Sequence, residues 1–166
     1  SGLVTVTGLA LGASATATVS TSRAGYAPGS AAASGTALEA GVAPTFGTPT
    51  RTIDGFTVQI ANYDAAATYT LDDSALPAGA SASRTGDTIT VTGLAAGASA
   101  TVGVEVSKTG FTEADAGVTG AALDAALVPP FGTSTRTADG STVQITNYDG
   151  TFAWAATPVD GSATVS

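Results

Sequence analysis

The chain contains no cysteine, no histidine and no methionine among its 166 residues. Without cysteine there is no disulfide, no thiol nucleophile and no thiolate metal site. Without histidine, a serine–histidine–aspartate triad and the usual near-neutral general base are excluded. We therefore expect no enzymatic activity. Because there is no initiator methionine, we expect the chain to be a processed or excised piece of a longer protein.

Basic residues are also scarce, with five Lys and Arg against thirteen Asp and Glu, which gives a formal net charge of −8. They are scattered along the sequence as Arg23, Arg51, Arg84, Lys108 and Arg136. An acidic chain without a basic patch is repelled by phosphate backbones, so no nucleic-acid partner is expected. No apolar run approaches the ~20 residues of a membrane-spanning helix, so no membrane insertion is expected.

Small neutral residues dominate what is present: Ala, Thr, Gly and Ser make up more than half of the chain. Only 11% of the residues are charged, compared with about 25% in ordinary soluble domains. Valine, isoleucine, leucine and aromatic residues still recur at regular intervals, so the composition does not indicate disorder. It is typical of an extracellular bacterial surface protein, and we expect that location.

The chain matches itself at an offset of 85 residues, with 37 identities over 81 positions and no gap. The segment VTVTGLALGASATATVS (4–20) aligns with ITVTGLAAGASATVGVE (89–105), and PTFGTPTRTIDGFTVQIANYD (44–64) aligns with PPFGTSTRTADGSTVQITNYD (129–149). A fixed long period indicates an array of domain-sized units of about 85 residues.

Apolar residues alternate with polar ones, as in Phe56, Val58 and Ile60 or in Val102, Val104 and Val106. This period of two predicts half-buried antiparallel strands. Turn signals such as Asp54-Gly55 recur about every ten residues, which favours an all-β sandwich. Short helical turns at 37–40 and 120–127 are the most helix that we expect. Strands are predicted near 46–52, 56–62, 67–72, 80–84, 88–94, 100–107 and 114–121.

At GLALGASATATV and GLAAGASATVGV the sequence resembles fibronectin type III and related bacterial Ig-like modules, where one strand ends in Gly-Leu and a glycine-bearing turn starts the next. The resemblance implies tandem antiparallel β-sandwich repeats in a cell-surface or extracellular fibre protein. The sequence departs from the family pattern at Ala15 and Ala100, where the family often has a corner tyrosine.

Two domain divisions fit the repeat. In the first, 42–126 is a complete module, 1–41 holds the C-terminal strands of a preceding module and 127–166 holds the N-terminal strands of a following one. The alternative is two modules, 1–85 and 86–166. The proline-bearing segments near 44 and 129 favour the first division, because they are typical of linkers.

The motif Asn-Tyr-Asp occurs twice after the second predicted strand, as Asn62, Tyr63, Asp64 and as Asn147, Tyr148, Asp149. We interpret it as a turn in which the Asx side chains bind backbone and the tyrosine covers the rim of the core. The alternative is a contact site for a glycan or protein, or a calcium site, at a module end. Calcium ligands would be Asp54, Asp64 and Glu39 at one junction and Asp139, Asp149 and Asp124 at the next.

Other candidates for chemistry are weaker. Asp72 and Asp73 are adjacent on a strand and point to opposite faces, so they do not form a glycosidase pair. Arg51 and Arg136 are interpreted as strand-edge charges or ion-pair partners. Lys108 is the only lysine, and an isopeptide crosslink made by one module in two is not expected.

These observations predict a structural repeat of an extracellular bacterial stalk or fibre that contains no cofactor. Its main partner would be itself, head to tail through covalent tandem or strand completion between chains, and laterally through uncharged threonine faces. The alternative is an adhesive module that binds a glycan or a host or neighbour-cell protein through its end loops.

Overall fold

A computed structural model describes residues 2–158 of the chain. The chain divides into two compact units, Ser1–Ala125 and Ala126–Ser166. The described residues contain β-strands and no helix, so the chain is all-β as predicted. The strands of the first unit are β1 Ser14–Thr21, β2 Gly29–Thr36, β3 Thr50–Thr52, β4 Gly55–Gln59, β5 Thr68–Asp72, β6 Ser81–Thr85, β7 Thr88–Thr92, β8 Ser99–Ser107 and β9 Ala114–Ala121. Those of the second are β10 Thr135–Arg136 and β11 Ser141–Thr142.

Strands β3 to β9 form two antiparallel sheets, one with the order β3-β4-β7-β6 and one with the order β5-β8-β9. The seven predicted strands are found at these places, each end shifted by at most a few residues. The alternating sequence explains the arrangement, because every second side chain of a strand turns to the same face. The two inward faces together enclose one apolar core, as in a β-sandwich.

The core contains most of the residues that the alternation marks as inward-facing. Phe56, Ile89, Val91, Val102 and Val104 are at most 1% exposed. The other buried members are Val58, Ile60, Tyr69, Leu94, Ala100, Val118 and Ala122. Phe46 and Val106 are half-buried against this core. The alternation does not mark Ala100 and Ala122, because alanine gives a weak hydrophobic signal. It does not mark Val118 either, because Val118 is the only large apolar residue of ADAGVTGA (114–121).

The hairpin β1–β2 has the same geometry as the hairpin β8–β9. Ser14 pairs with Thr36 in the first, and Ser99 pairs with Ala121, 85 residues further along, in the second. The amide of Gly12 donates to the Leu38 carbonyl at 2.8 Å, as that of Gly97 does to Leu123. Both glycines have φ near +71°, which other residues rarely adopt. The repeat in sequence is therefore also a repeat of hydrogen bonds.

The two copies differ in the segment before these hairpins. Residues 88–92 form β7, which lies between β4 and β6. The matching residues 3–7 have the same alternation but form no strand. Nothing equivalent to β4 or β6 lies beside residues 3–7 within the described part of the first unit. A strand needs a hydrogen-bonded neighbour, so pairing and not local sequence decides the outcome here.

The second unit contains a short hairpin of β10 and β11, in which Arg136 pairs with Ser141. An isolated bridge joins Phe131 to Ile145, as Phe46 is joined to Ile60 in the first unit. Its large apolar side chains remain open to solvent: Phe131 is 62% exposed and Phe152 is 51% exposed. Its described part therefore has strands but no apolar core.

Residues 37–40 and 120–127, where at most short helical turns are expected, form no helix. Gly120 and Ala121 belong to β9, and Glu39 forms a parallel bridge with Phe111. The amides of Ala122 and Leu123 donate to the Ala98 and Thr52 carbonyls, so backbone partners on other segments override the helical preference of alanine there.

Gly120 allows the two sheets to approach each other, because a Cβ atom built on it would lie 2.3 Å from the Phe56 ring. We predict that Gly120→Ala lowers the free energy of unfolding of the 42–125 region by about 1–3 kcal/mol through overpacking. Gly35→Ala is the matched control, since nothing lies within 4 Å of that position, and its effect should stay within about 0.5 kcal/mol. Urea unfolding followed by near-UV absorption would measure both, and equal losses would contradict the packing argument.

Candidate functional site

Strands β3 to β9 together form the seven-stranded region, and the first Asn-Tyr-Asp motif lies beside a cleft of about 200 Å³ at one end of it. The linker, residues 39–45 after the β1–β2 hairpin, forms one wall of the cleft. The end of β8 and the β8–β9 turn form the other. The lining residues are Gly41, Val42, Pro44, Asn62, Asp64, Ala67, Tyr69, Val106, Lys108, Phe111 and Thr112. The cleft thus lies where the segment that follows the β1–β2 hairpin meets the β8–β9 hairpin.

Asn62 binds the linker with both ends of its amide. Its Oδ1 accepts a hydrogen bond from the Thr45 amide at 2.8 Å, and its Nδ2 donates to the Ala43 carbonyl at 2.9 Å. On the opposite wall, the Gly41 amide donates to Thr112 Oγ1 at 2.9 Å. These three bonds fix the course of the linker against the seven-stranded region, because each one joins linker backbone to a side chain that a strand or turn positions.

Asp64 closes the turn and holds the only lysine. Its Oδ1 accepts from the Ala66 amide at 2.9 Å, and its Oδ2 accepts from Lys108 Nζ at 2.8 Å. The hydrogen bond from Lys108, together with that from the Ala66 amide, lowers the pKa of the Asp64 carboxyl below its ordinary value. Lys108 Nζ also lies 5.1 Å from the centre of the Phe111 ring. The pair therefore joins the β4–β5 turn to the end of β8.

The tyrosine of the motif stacks on the core instead of projecting from it. The Tyr63 and Tyr69 rings are 5.2 Å apart at 23°, and the Tyr69 hydroxyl accepts from the Asp64 amide at 2.8 Å. The Arg84 guanidinium lies 5.3 Å from the centre of the Tyr69 ring, which is favourable for a cation–π contact. Tyr63 is 37% exposed, so part of one face remains open to solvent.

The second motif repeats two of these contacts, the asparagine bond to the preceding backbone carbonyl and the stacking of the tyrosine on an aromatic ring. Asn147 Nδ2 donates to the Val128 carbonyl at 3.2 Å, and Tyr148 stacks on Trp154 at 5.5 Å. Asn147 Oδ1, however, is buried and has no hydrogen-bond partner. The cause lies in the sequence: the donor of the first copy is the amide of Thr45, and its counterpart Pro130 has no N–H. Trp154 takes the place of Tyr69 in the repeat but is only half-buried, because the described second unit has no apolar core.

The structure separates the acidic residues that the calcium hypothesis grouped together. Asp54 precedes β4, and its carbonyl accepts from Leu94, whereas Asp64 follows β4 and contacts Lys108. The two carboxylates thus lie at opposite ends of the seven-stranded region, which overturns their assignment to one junction. Within residues 2–158, no three His, Cys, Asp or Glu side chains form a group that could hold a metal ion.

The remaining candidates lie elsewhere. Arg51 forms an ion pair with Asp124 at 3.1 Å, at the opposite end of the seven-stranded region from Asn62. Asp72 and Asp73 are both exposed, and the hydrogen bonds from Ser74 lower the pKa of the Asp72 carboxyl. In the second motif, the hydrogen bonds from Thr151 likewise lower the pKa of the Asp149 carboxyl.

Two residues of the site, Thr112 and Arg84, carry no signal in the sequence. Thr112 is one of many threonines, and no pattern marks it. Arg84 falls in the four residues 82–85 that have no counterpart in the repeat, so the alignment gave it no weight. The ion pair between Asp64 and Lys108 could have been suspected from the sequence. The two residues carry opposite charges, and each one follows a predicted strand, 56–62 or 100–107, of the kind that lie close together in many sandwiches.

No protein-family model, curated protein or solved structure matches this chain. The described part of the chain also has no helix of the length and apolar character required to cross a membrane.

Asn62→Ala would release the linker. We predict that hydrogen exchange at the Thr45 amide becomes faster and that the free energy of unfolding falls by about 0.5–1.5 kcal/mol for each of the two bonds. Asn147→Ala is the matched control, since it removes one bond and not two. If the Thr45 amide exchanges equally fast in the wild type and in Asn62→Ala, the proposed attachment of the linker is wrong.

The ion pair between Asp64 and Lys108 predicts an acid sensitivity. A carboxyl whose pKa is lower in the folded state stabilises the fold above its unfolded pKa, and that contribution is lost as the pH falls through the folded value. Lys108→Gln removes the main cause of the lowered pKa. We expect the melting temperature of this variant to fall less than that of the wild type between pH 5 and pH 2, because one acid-sensitive contribution has already been removed. Circular dichroism melts at several pH values would show this, and parallel curves would contradict it.

Proposed function

We propose that this chain is a structural repeat of an extracellular bacterial surface stalk or fibre, built from Ig-like or fibronectin type III-like modules that join end to end. It has no catalytic role and requires no cofactor. The observation that carries the proposal is the recurrence of one part of a module within the chain: residues 8–38 and 93–123 share their strand register and turn conformations.

The junction between repeats supports a mechanical role. The linker is bound by the Asn62 amide and by Thr112, and the bridge between Glu39 and Phe111 adds two backbone bonds of 2.9 Å. A linker with this many attachments does not swing freely between modules. Because the second copy repeats the asparagine contact at Val128, the same attachment would recur at each junction of an array.

The polar groups of the cleft also favour this role over adhesion. The Asn62 amide and the Asp64 carboxylate have internal partners, so few unpaired groups remain to orient a glycan. The domain division that fits this proposal is a complete module at 42–126, flanked by parts of two others at 1–41 and 127–166.

The outward faces of the sheets suit a crowded extracellular setting. Hydroxyl groups pair across strands between Ser14 and Thr36 at 2.9 Å, between Thr16 and Ser34 at 2.7 Å, and between Thr101 and Thr119 at 2.7 Å. These pairs stabilise neighbouring strands without charge. Uncharged hydroxyl faces of this kind are a suitable surface for lateral contact between fibres.

The proposal predicts filaments in native material. Electron microscopy should show fibres with an axial repeat set by modules of about 85 residues, and a denaturing gel run in parallel should show whether they are long tandem chains or short chains held by non-covalent contacts. Native material that contains only compact monomers, together with glycan binding that is lost in Tyr148→Ala, would replace this proposal with the adhesive one.

A further inference from the structure

One apolar face of the first unit lacks a covering sheet within the described residues. A groove of about 560 Å³ runs between residues 4–9 and the β1–β2 hairpin. Val4 is 54% exposed, Val6 48% and Val19 42%. The residues 85 positions later are Ile89, Val91 and Val104, all at most 1% exposed. The face that is open at the start of the chain is therefore the same face that is fully buried in the seven-stranded region.

The seven-stranded region also shows which strands complete the two sheets around such a face. Strand β4 extends the sheet of β7, with Val58 opposite Ile89, and β5 extends the sheet of β8, with Leu71 opposite Val104. The counterparts of these neighbouring residues are in the second unit, where Val143 and Ala156 take the places of Val58 and Leu71. Val143 is 49% exposed. The second unit therefore contains the counterparts of β4 and β5 that residues 3–37 lack, and residues 3–37 contain the counterparts of β7 and β8 that the second unit lacks.

We infer that residues 128–157 of a second copy of this chain bind in the groove of residues 3–37 and complete a sandwich. This inference rests on the proposed function, and it names the partner at each end. Carried over from β4–β7 and β5–β8, the register places Val143 of one copy opposite Val4 of the other, and Ala156 opposite Val19. Only β6, an edge strand, has no counterpart in the two segments, so six strands of the seven are supplied.

Charge supports this occupant. In the seven-stranded region, Arg51 of β3 pairs with Asp124 at 3.1 Å. The counterpart of Arg51 is Arg136 in the second unit, and the counterpart of Asp124 is Glu39 after the β1–β2 hairpin. The positive and the negative charge are thus both present in the repeat. Within residues 2–158, neither Glu39 nor Arg136 forms an ion pair. Bound as described, Arg136 of one copy meets Glu39 of the other.

One position limits the strength of the contact. Phe56 fills the centre of the seven-stranded core against Gly120. The glycine is kept as Gly35, where nothing lies within 4 Å, but the phenylalanine is replaced by Ser141. The completed sandwich would therefore contain a void beside Gly35, which weakens binding. A substitution that fills this void should therefore strengthen the association between copies.

The first experiment compares two glutamates on the same strand by sedimentation velocity of the 166-residue chain over a range of concentrations. Ala17→Glu places a charge at the counterpart of Val102, which is 0% exposed, and should weaken association roughly tenfold or more. Ser20→Glu is the control, since its counterpart Glu105 is exposed, and it should associate like the wild type. Both positions are solvent-accessible in the single chain, so unfolding does not confound the comparison.

The second experiment fills the void. Ser141→Phe should strengthen association roughly tenfold or more, because it buries a phenyl ring against Gly35. Gly35→Val occupies the same space and should cancel that gain. Charge reversal adds a test of pairing: Glu39→Arg and Arg136→Glu should each weaken association roughly threefold to fivefold, and an equal mixture of the two variants should restore it.

Three results would overturn the inference: a wild-type chain that stays monomeric up to ~1 mM, an equal effect of Ala17→Glu and Ser20→Glu, or a gain from Ser141→Phe that Gly35→Val does not remove. None of these would decide against the proposed function, because a stalk made of one continuous tandem chain needs no contact between copies. The proposed function is tested separately, by electron microscopy of native material.

Discussion

The contact between Phe56 and Gly120 is the constraint on which the seven-stranded region depends. One sheet supplies a large flat ring, and the other supplies a position with no side chain, so the two sheets approach closely enough for the remaining core residues to meet. The core has few large side chains, and many inward positions are alanine or valine. Such a core has little volume to spare, and its stability depends on close approach more than on the amount of apolar surface.

The same constraint explains why two nearly identical sequences have different structures. Residues 4–7 and 89–92 share their alternation, but only the second segment has β4 and β6 beside it in its sheet, with Phe56 of β4 opposite Val91. The burial of Ile89 and Val91 is thus a property of the partners and not of the segment. Residues 3–38 keep the turns and the hairpin, which depend on local contacts, but lack the strand equivalent to β7, which depends on partners from elsewhere in the chain.

The alternation of apolar and polar residues made the all-β class, the seven strand positions and most of the core predictable. It could not reveal Ala100 and Ala122, because an alanine becomes buried through the approach of its neighbours more than through its own hydrophobicity. It could not reveal Val118, because no other large apolar residue of its strand makes an alternation visible. The turn at Asn62 and Asp64 was predictable from residue type. Its ion-pair partner Lys108 lies on a hairpin more than forty residues away, so the sequence could suggest the pair from the opposite charges but not establish it. Thr112 of the same hairpin, which binds the Gly41 amide, carries no sequence signal at all. The grouping of Asp54 with Asp64 failed for a related reason: ten residues of sequence span the full length of a strand.

The attachment of the linker has a mechanical consequence. A force along the chain enters the 42–125 region near Ala43 and Thr45, where Asn62 binds the backbone, and leaves near Leu123 at the other end of β9. Strands β3 and β9 are then pulled lengthwise in opposite directions, while their hydrogen bonds to β4 and β8 lie across the direction of pull. Bonds arranged in this way are sheared together and are not opened one after another like a zipper. A module pulled through these two points resists extension with a whole row of hydrogen bonds at once.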